Sequence, residues 1–188
     1  VYLHKTSLCA ETLLTQLMRR ARDLVKSGEP LFATPVLSVF LKSSEEAPLD
    51  LEAPGFPDLF TQLDDHDLWA SIKVWGQHDD FVLSTLCNFM LNRKLFKLRF
   101  VQPGESAAIL HTAREELLKK GVHEKDLAYF AVEGSISNAA YLTESEQIKI
   151  KMKDGQMIDI SEASELPAVR ALSKIVKKHF VSWAKNVS

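Results

Sequence analysis

Hydrophobic residues recur every three or four positions through the first 26 residues, with charged and polar residues between them. This spacing predicts an amphipathic helix from Val1 to Lys26. Ser27-Gly28 follows, and glycine favours the left-handed conformation that commonly ends a helix. The apolar stripe consists of Leu8, Leu13, Leu14, Leu17, Met18, Ala21, Leu24 and Val25.

Residues 29–57 interrupt this helical pattern. Five of the seven prolines lie there, and the polar run from Ser43 to Glu46 stands in the middle. Because proline lacks an amide hydrogen and fixes its own φ, this composition predicts an irregular excursion. The short apolar run from Val36 to Leu41 is expected to pack within it as one helical turn or a short strand.

Two further helices are predicted between residues 58 and 93, each preceded by carboxylates that can cap it. The candidate caps are Asp64 or Asp65 for the first helix and Asp79 or Asp80 for the second, since aspartate accepts hydrogen bonds from the free N–H groups of a first turn. Gly76 separates the two helices. The buried face of the second is expected to contain Val82, Leu83, Leu86, Phe89 and Met90.

The second half of the chain combines strand and helix patterns. Apolar and basic residues alternate from Leu95 to Val101, which predicts a strand with Lys97 and Arg99 on one face and Leu98 and Phe100 on the other. Further along, the pattern predicts a helix over 105–120, a strand over 127–132, a hairpin over 147–160 that turns at Asp154-Gly155, a helix from about Glu165 and a closing strand over 179–183.

The fold class predicted from these elements is α+β. We expect two domains, a helical one over residues 1–94 that includes the proline-rich excursion, and a small antiparallel α+β unit over residues 95–188. Neither half contains an internal repeat or a low-complexity tract.

Composition narrows the range of partners. The 188 residues are 46% hydrophobic and carry a formal net charge of −2. A surface that binds nucleic acid duplexes normally carries an excess of lysine and arginine, so general nucleic-acid binding is not expected. No run approaches the ~20 apolar residues that span a bilayer, and no membrane partner is expected. Cys9 and Cys87 are interpreted as buried thiols in a reducing cytoplasm.

Two short cationic segments carry the candidate chemistry. At the start of the first helix, Tyr2 and Lys5 are three residues apart and therefore share a helix face. A phenol can contact a sugar or a base, and a lysine ammonium suits phosphate. Where the second capped helix gives way to a strand, Arg93 and Lys97 can present two cations to one anion. The plainer interpretation of each segment alone is a solvated charged patch.

Taken together and in this order, the segments resemble the dNTP triphosphohydrolase branch of the HD superfamily of phosphohydrolases, which includes the sterile-alpha-motif-and-HD-domain enzyme. The resemblance implies that residues 1–94 are the C-terminal helices of an HD-type domain. The matching stretches are Tyr2–Lys5 with the helix after it, Leu63-Asp64-Asp65 with the helix to Trp75, Arg93–Lys97 and, less specifically, Ile148–Ile160 with the helix that contains Ala168 and Leu172.

The resemblance also implies site residues and partners. Tyr2 and His4 match positions that lie near the substrate nucleotide, whereas Lys5, Arg93 and Lys97 match cations that contact the triphosphate of a regulatory nucleotide in the allosterically controlled members. In the family the metal ligands precede the Tyr-x-His-Lys segment. The chain is therefore expected to be a C-terminal fragment without cofactor, whose parent protein binds a divalent metal. The implied partners are a dNTP-like nucleotide, the HD core upstream and further copies in a homo-oligomer.

Two His-Asp pairs, His66-Asp67 and His78-Asp79, look like metal ligands but are interpreted as parts of helix starts. A metal site of the HD kind needs an isolated His, a His-Asp pair and a distant Asp that converge on the cation. Both pairs stand beside extra carboxylates where aspartate is favoured as a cap. No catalytic or metal-binding residue is therefore expected in this chain.

The function expected from the sequence is that of the C-terminal portion of a metal-dependent nucleotide phosphohydrolase. Such a portion contributes phosphate contacts and an oligomer surface but is inactive alone. The alternative is a non-enzymatic protein-interaction module, whose exposed helix faces and sheet edge bind a protein partner.

Overall fold

The computed structural model describes residues 4–43, 48–102, 104–137, 149–152, 155–159, 177–185 and 187. The helices are α1 (Lys5–Lys26), α2 (Pro35–Lys42), α3 (Phe56–Thr61), α4 (Asp65–Trp75), α5 (Phe81–Leu91), α6 (Ser106–Lys119) and α7 (Leu127–Phe130). The strands are β1 (Lys97–Val101), β2 (Ala131–Ser137), β3 (Lys149–Lys151), β4 (Met157–Asp159) and β5 (Lys177–Trp183). This confirms the α+β fold class. In the described part of the chain, every helix is too short or too polar to cross a membrane.

Aspartate side chains begin two of the helices. Asp64 accepts from the backbone N–H groups of His66 and Asp67, and the side chain of Asp67 accepts from the N–H of Asp64, which forms a capping box at α4. Asp80 caps α5 by accepting from the N–H of Leu83 at 2.7 Å. Each predicted pair of carboxylates therefore supplies one cap, and Asp65 and Asp79 are not the capping members.

The larger sheet is antiparallel with the order β1-β5-β2, so β5 lies in the centre. Phe100 of β1 and Gly134 of β2 both face Phe180 of β5 across the register. Helix α1 packs on the face that carries Phe180, where Leu8 and Leu98 join it in one apolar cluster. Helix α6 covers the opposite face through contacts with β2 and β5.

The main hydrophobic core crosses the boundary at residues 94 and 95. It joins Leu13 and Leu17 of α1 with Leu86 of α5, and also contains Phe130 and Ala184 from the second half. The two predicted domains therefore share one core among the described residues, and the division itself stays a prediction. Both free cysteines are buried, and burial raises the pKa of the Cys87 thiol to about 12.

Several predicted elements have different boundaries. The run 36–41 is the helix α2, which begins with Pro35 at its first position and Thr34 as its cap. The predicted strand over 127–132 is wrong for most of its length, because residues 127–130 form α7 and the strand begins at Ala131. A short apolar run is compatible with a buried helical turn as well as with a strand, and here residues 127–130 pack into the core as a helical turn.

The hairpin predicted over 147–160 is confirmed by the antiparallel pairing of β3 with β4. Gly155 has a φ of 88°, the left-handed conformation expected of a glycine in a tight hairpin turn. The closing strand predicted over 179–183 is confirmed within β5. Asp154 and the helix predicted from Glu165 lie outside the described residues.

Replacing Gly134 with alanine is expected to lower the free energy of unfolding by about 1–2 kcal/mol, because the new methyl group must displace a packed ring. A Cβ atom at this position would lie 2.6 Å from Cζ of Phe180, which is only 9% exposed. Urea unfolding of both proteins measures the difference.

Gly55→Ala is the matched control for this substitution. Gly55 has a φ of −95°, and beyond its immediate chain neighbours no atom lies within 4 Å of the place that a Cβ would occupy. The control is therefore expected to leave stability unchanged or slightly raised. Equal effects of the two substitutions would contradict the packing of Phe180 against β2.

Candidate functional site

The first cationic segment lies at the start of α1. His4 is the N-cap residue, with a φ of −72° and a ψ of 123°, and its side chain makes no capping bond. Lys5 is exposed, and its Nζ lies 5.7 Å from the centroid of the Phe100 ring. Tyr2 lies outside the described residues.

A second lysine approaches the same aromatic ring. Nζ of Lys178, on β5, lies 5.4 Å from the centroid of Phe100. In the sequence Lys178 stands just before the predicted closing strand and carries no sign of a role. The structure pairs it with Lys5 around one ring, and cations near an aromatic face are held there by the ring quadrupole.

The second cationic segment connects α5 to β1 through a Schellman motif. The N–H of Lys94 donates to the carbonyl of Phe89 at 2.8 Å, and the N–H of Arg93 donates to that of Met90 at 3.2 Å. Arg93 stands where this motif usually has glycine, with a φ of 54°. An arginine in the left-handed conformation costs about 1 kcal/mol, which a glycine at this position would not.

Strand β1 directs its basic residues toward α6. Lys97 and Arg99 line an open cavity of about 350 Å³ together with Thr112, Glu116 and Trp183. Nζ of Lys97 lies 5.2 Å from the centroid of the Trp183 ring. The cavity therefore combines two cations, one carboxylate and one aromatic face, a set that suits a small anion with a planar group.

The structure does not bring Lys5 together with Lys97 in one chain, and this corrects the expectation that all three cations converge. Lys97 and Phe100 are three positions apart on a strand, and alternate residues point to opposite faces. Because Lys5 lies over Phe100 on the α1 side, the sheet separates it from Lys97. Arg93 is exposed at the junction that leads into β1.

A polar cluster that the sequence pattern does not reveal joins α1, α5 and α7. Arg20 donates to both carboxylate oxygens of Asp80, at 3.0 Å and 2.5 Å, and Tyr129 donates to Asp23 at 2.6 Å. The guanidinium carbon of Arg20 also lies 5.2 Å from the centroid of the Tyr129 ring. We call these four residues the Arg20 cluster.

The Arg20 cluster shifts the pKa values of its members. Burial alone raises the pKa of Asp80, but hydrogen bonds from Arg20 and from the N–H of Leu83, with the charge of Arg20, more than offset this and leave it lowered. The pKa of Tyr129 is raised by burial and by its bond to Asp23. The pKa of Arg20 is raised mainly by its bonds to Asp80. The ionised forms of Arg20 and Asp80 are thereby stabilised, which suits a structural clamp.

The two His-Asp pairs lie at the starts of α4 and α5, and both histidines contact the capping aspartates there. Nδ1 of His66 lies 3.3 Å from the capping carboxylate of Asp64, and Nδ1 of His78 accepts from the N–H of Asp80 at 3.0 Å. Among the described residues, no group of three or more His, Cys, Asp or Glu side chains is arranged to hold a metal ion. These residues therefore do not fit the ligand set of a metal-dependent hydrolase.

No family model matches the chain, and two similar proteins are described here from the comparisons with known proteins. One relative is the uncharacterized protein YwfO of Bacillus subtilis, which is 27% identical over 175 residues that make up 88% of this chain and 37% of that protein. The other is the crystal structure of a phosphohydrolase of Bacteroides thetaiotaomicron, with 35% identity and a TM-score of 0.74.

The structural match covers 98% of this chain and 46% of the Bacteroides protein. The chain thus spans less than half the length of either relative. Over nearly all of its own length, this chain is similar in both sequence and fold to a phosphohydrolase.

Proposed function

We propose that this chain is the part of a nucleotide phosphohydrolase that binds phosphate groups beside the catalytic centre. The observation that carries the proposal is the 35% identity with the Bacteroides phosphohydrolase over 98% of the chain. Because a shared fold alone does not fix the chemistry, the proposal also rests on the exposed cations of this chain.

The phosphate contacts are proposed to come from Arg93 and Lys97. Both side chains are exposed, and neither forms an ion pair with a carboxylate within the described part of the chain. Their charges are therefore free to meet an anion. An arginine binds two phosphate oxygens with its planar fork, and a lysine adds a compact charge next to it.

His4 and Lys5 are proposed to contact nucleotide on the other side of the sheet, as the HD-superfamily resemblance implies. Lys5 and Lys97 lie on opposite faces of the sheet, beside Phe100 and Trp183 respectively. The proposal therefore includes a homo-oligomer, in which Lys5 of one copy and Arg93 and Lys97 of another can meet at one phosphate chain.

The metal-dependent step is proposed to belong to residues of a longer parent protein. A divalent metal there would polarise a phosphoryl oxygen and activate water. The residues of this chain bind and orient the anionic part of the substrate or effector, and neutralise its charge. Because the described residues hold no fitting ligand set, this chain by itself is expected to show no hydrolysis.

Lys97→Ala is expected to weaken the binding of inorganic triphosphate to this chain by about tenfold, the loss of one charge-assisted contact. Isothermal titration calorimetry at constant ionic strength measures the dissociation constants. Lys73→Ala removes the same charge from the exposed face of α4 and serves as the control, with an expected change of less than about twofold.

The outcome of this titration decides between two functions. If wild type does not bind triphosphate, or if both variants bind as wild type does, the phosphate-binding proposal fails. The alternative, a protein-interaction module, then becomes the better account. It is favoured by the exposed apolar side chains of Leu51, Phe60 and Trp69, which are 63%, 57% and 44% exposed.

A further inference from the structure

The short helix α3 carries aromatic side chains that lie at the surface. Each of its six residues, all of them described by the structure, is at least partly exposed. The ring of Phe60, a residue 57% exposed, lies 6.0 Å from that of Phe56 and 6.4 Å from that of Phe40 on α2, measured between centroids. We call these three rings the aromatic patch. So short a helix gains little stability from its own hydrogen bonds, and a molecule that covers the patch would therefore stabilise it.

The aromatic patch belongs to a strongly acidic part of the chain. Residues 43–72 contain eight of the 25 acidic residues and none of the 23 lysines and arginines. Asp50, Glu52 and Asp58 are exposed, and no cationic side chain in the described part of the chain forms an ion pair with any of them. Apolar rings beside unpaired carboxylates fit a partner surface that combines apolar and basic side chains.

A groove with this combination lies along the outer side of α1. Its volume is about 640 Å³, and its lining residues within the described ranges all come from this one helix. Two apolar and three basic side chains line it, namely Leu14, Met18, Arg19, Arg22 and Lys26. The apolar side chains are half-buried and the basic ones are exposed. Asp23, which also lines the groove, accepts from Tyr129 within the Arg20 cluster. We call this surface the α1 groove.

The C-terminal end of α2 connects the aromatic patch to the α1 groove. Phe40 lies in the last turn of α2, and the carbonyl of Ser43, the residue after the helix, accepts from Nη2 of Arg22 at 2.8 Å. The two surfaces are therefore neighbours on one molecule. Neighbouring surfaces of complementary character can each contact the other in a second copy across a twofold axis.

We propose that two copies of this chain form a twofold dimer, in which the aromatic patch of each copy packs into the α1 groove of the other. The rings cover Leu14 and Met18, and the acidic segment faces the basic side chains of the groove. Aromatic and arginine side chains are enriched in the centres of protein interfaces, and opposite charges fix the register between the two copies. The arrangement is closed, so neither surface remains for a third copy.

This dimer goes beyond the proposed phosphate binding and does not depend on it. Arg22 follows Lys5 by 17 residues, which places it about 26 Å further along α1. The dimer contact is therefore separate from the contact proposed between Lys5 of one copy and Lys97 of another at a phosphate chain. Because the dimer needs no nucleotide, an assembly measurement without ligand leaves the triphosphate titration as an independent result.

Sedimentation velocity of this 188-residue chain without nucleotide, from about 1 to 100 µM, tests the proposal. We expect a reversible dimer that Phe60→Ser weakens at least about tenfold, since it removes the exposed ring. Leu118→Ser is the matched control, because Leu118 is 45% exposed on α6, outside both surfaces. Both positions are exposed on helices, so neither substitution is expected to impair folding.

A charge reversal in the α1 groove gives the second arm of the test. Lys26→Glu is expected to weaken the dimer several-fold, whereas Lys119→Glu, which reverses an exposed charge in the last turn of α6, is expected to have no effect. An equimolar mixture of Phe60→Ser and Lys26→Glu is expected to dimerise more strongly than either variant alone, because the mixed dimer retains one intact contact between patch and groove.

Three results would each overturn the proposal. The first is a wild type that stays monomeric at 100 µM, in which case a molecule other than a second copy covers the aromatic patch. The second is a dimer that Phe60→Ser weakens no more than Leu118→Ser does. The third is a mixture that dimerises no better than its two components, which would mean that like surfaces pair across the axis.

Discussion

Replacing Asp80 with alanine is expected to lower the free energy of unfolding by about 3 kcal/mol, because this carboxylate performs two structural tasks at once. It caps α5 by accepting from the N–H of Leu83, and it accepts from Nε and Nη2 of Arg20 on α1. Its side chain is only 16% exposed, so water replaces these bonds poorly. Chemical unfolding of wild type and variant gives the difference.

Asp79→Ala is the control for this prediction, since Asp79 is exposed and caps no helix. It is expected to change stability by no more than about 0.5 kcal/mol. A double-mutant cycle with Arg20→Ala separates the two tasks of Asp80, and a coupling energy near zero would show that the Arg20–Asp80 contact does not contribute.

The difference in free energy of unfolding between wild type and Asp80→Asn is expected to depend on pH, because the pKa of Asp80 is lowered in the folded protein. A carboxylate with a depressed folded-state pKa stabilises the protein above its unfolded pKa of about 3.9, and this contribution disappears as the pH falls through the folded value. The stability difference between wild type and variant is therefore expected to stay constant from about pH 7 to 5 and to shrink below about pH 4.

The double variant Arg93→Gly/Lys97→Ala is expected to weaken triphosphate binding by about a hundredfold, because it removes two charge-assisted contacts. The free energy of unfolding, in contrast, is expected to rise rather than fall. Glycine adopts the φ of 54° at position 93 without the cost that arginine has there, so Arg93→Gly alone should raise the free energy of unfolding by up to about 1 kcal/mol.

The test is whether Arg93→Gly weakens triphosphate binding while it raises the free energy of unfolding. A purely structural role of Arg93 predicts that Arg93→Gly leaves binding unchanged and improves folding. A role in phosphate binding predicts weaker binding in a protein that is at least as stable. Arg93→Lys keeps the charge and the backbone cost, and its intermediate affinity would distinguish bidentate contacts from simple charge.

Local chemistry explains which parts of the fold were predictable. Caps depend on residues three positions apart, so the carboxylates before α4 and α5 indicated both helix starts, although only the structure selects Asp64 and Asp80 within each pair. The alternation of β1 was also visible, because Lys97 and Arg99 stand between apolar residues. These signals need no knowledge of what packs against what.

Long-range packing explains the rest. Arg20 and Asp80 are 60 positions apart, and no local pattern pairs them. The position of Lys5 depends on which face of β1 packs against α1. The alternation of residues in β1 does not show which face this is. The cluster of Leu8, Leu98 and Phe180 shows that α1 packs on the face that contains Leu98. For the same reason Lys178 and Trp183, which the structure places beside Lys5 and Lys97, carried no signal of their own.

Mapping triphosphate on the chain by amide chemical-shift perturbation tests the phosphate-binding account most directly. The account predicts that inorganic triphosphate shifts the backbone amides from Arg93 to Arg99 and the indole N–H of Trp183, whose ring lies 5.2 Å from Nζ of Lys97. It also predicts that Lys97→Ala abolishes most of these shifts. Shifts confined to other surfaces, or none at all with triphosphate in excess, would contradict it.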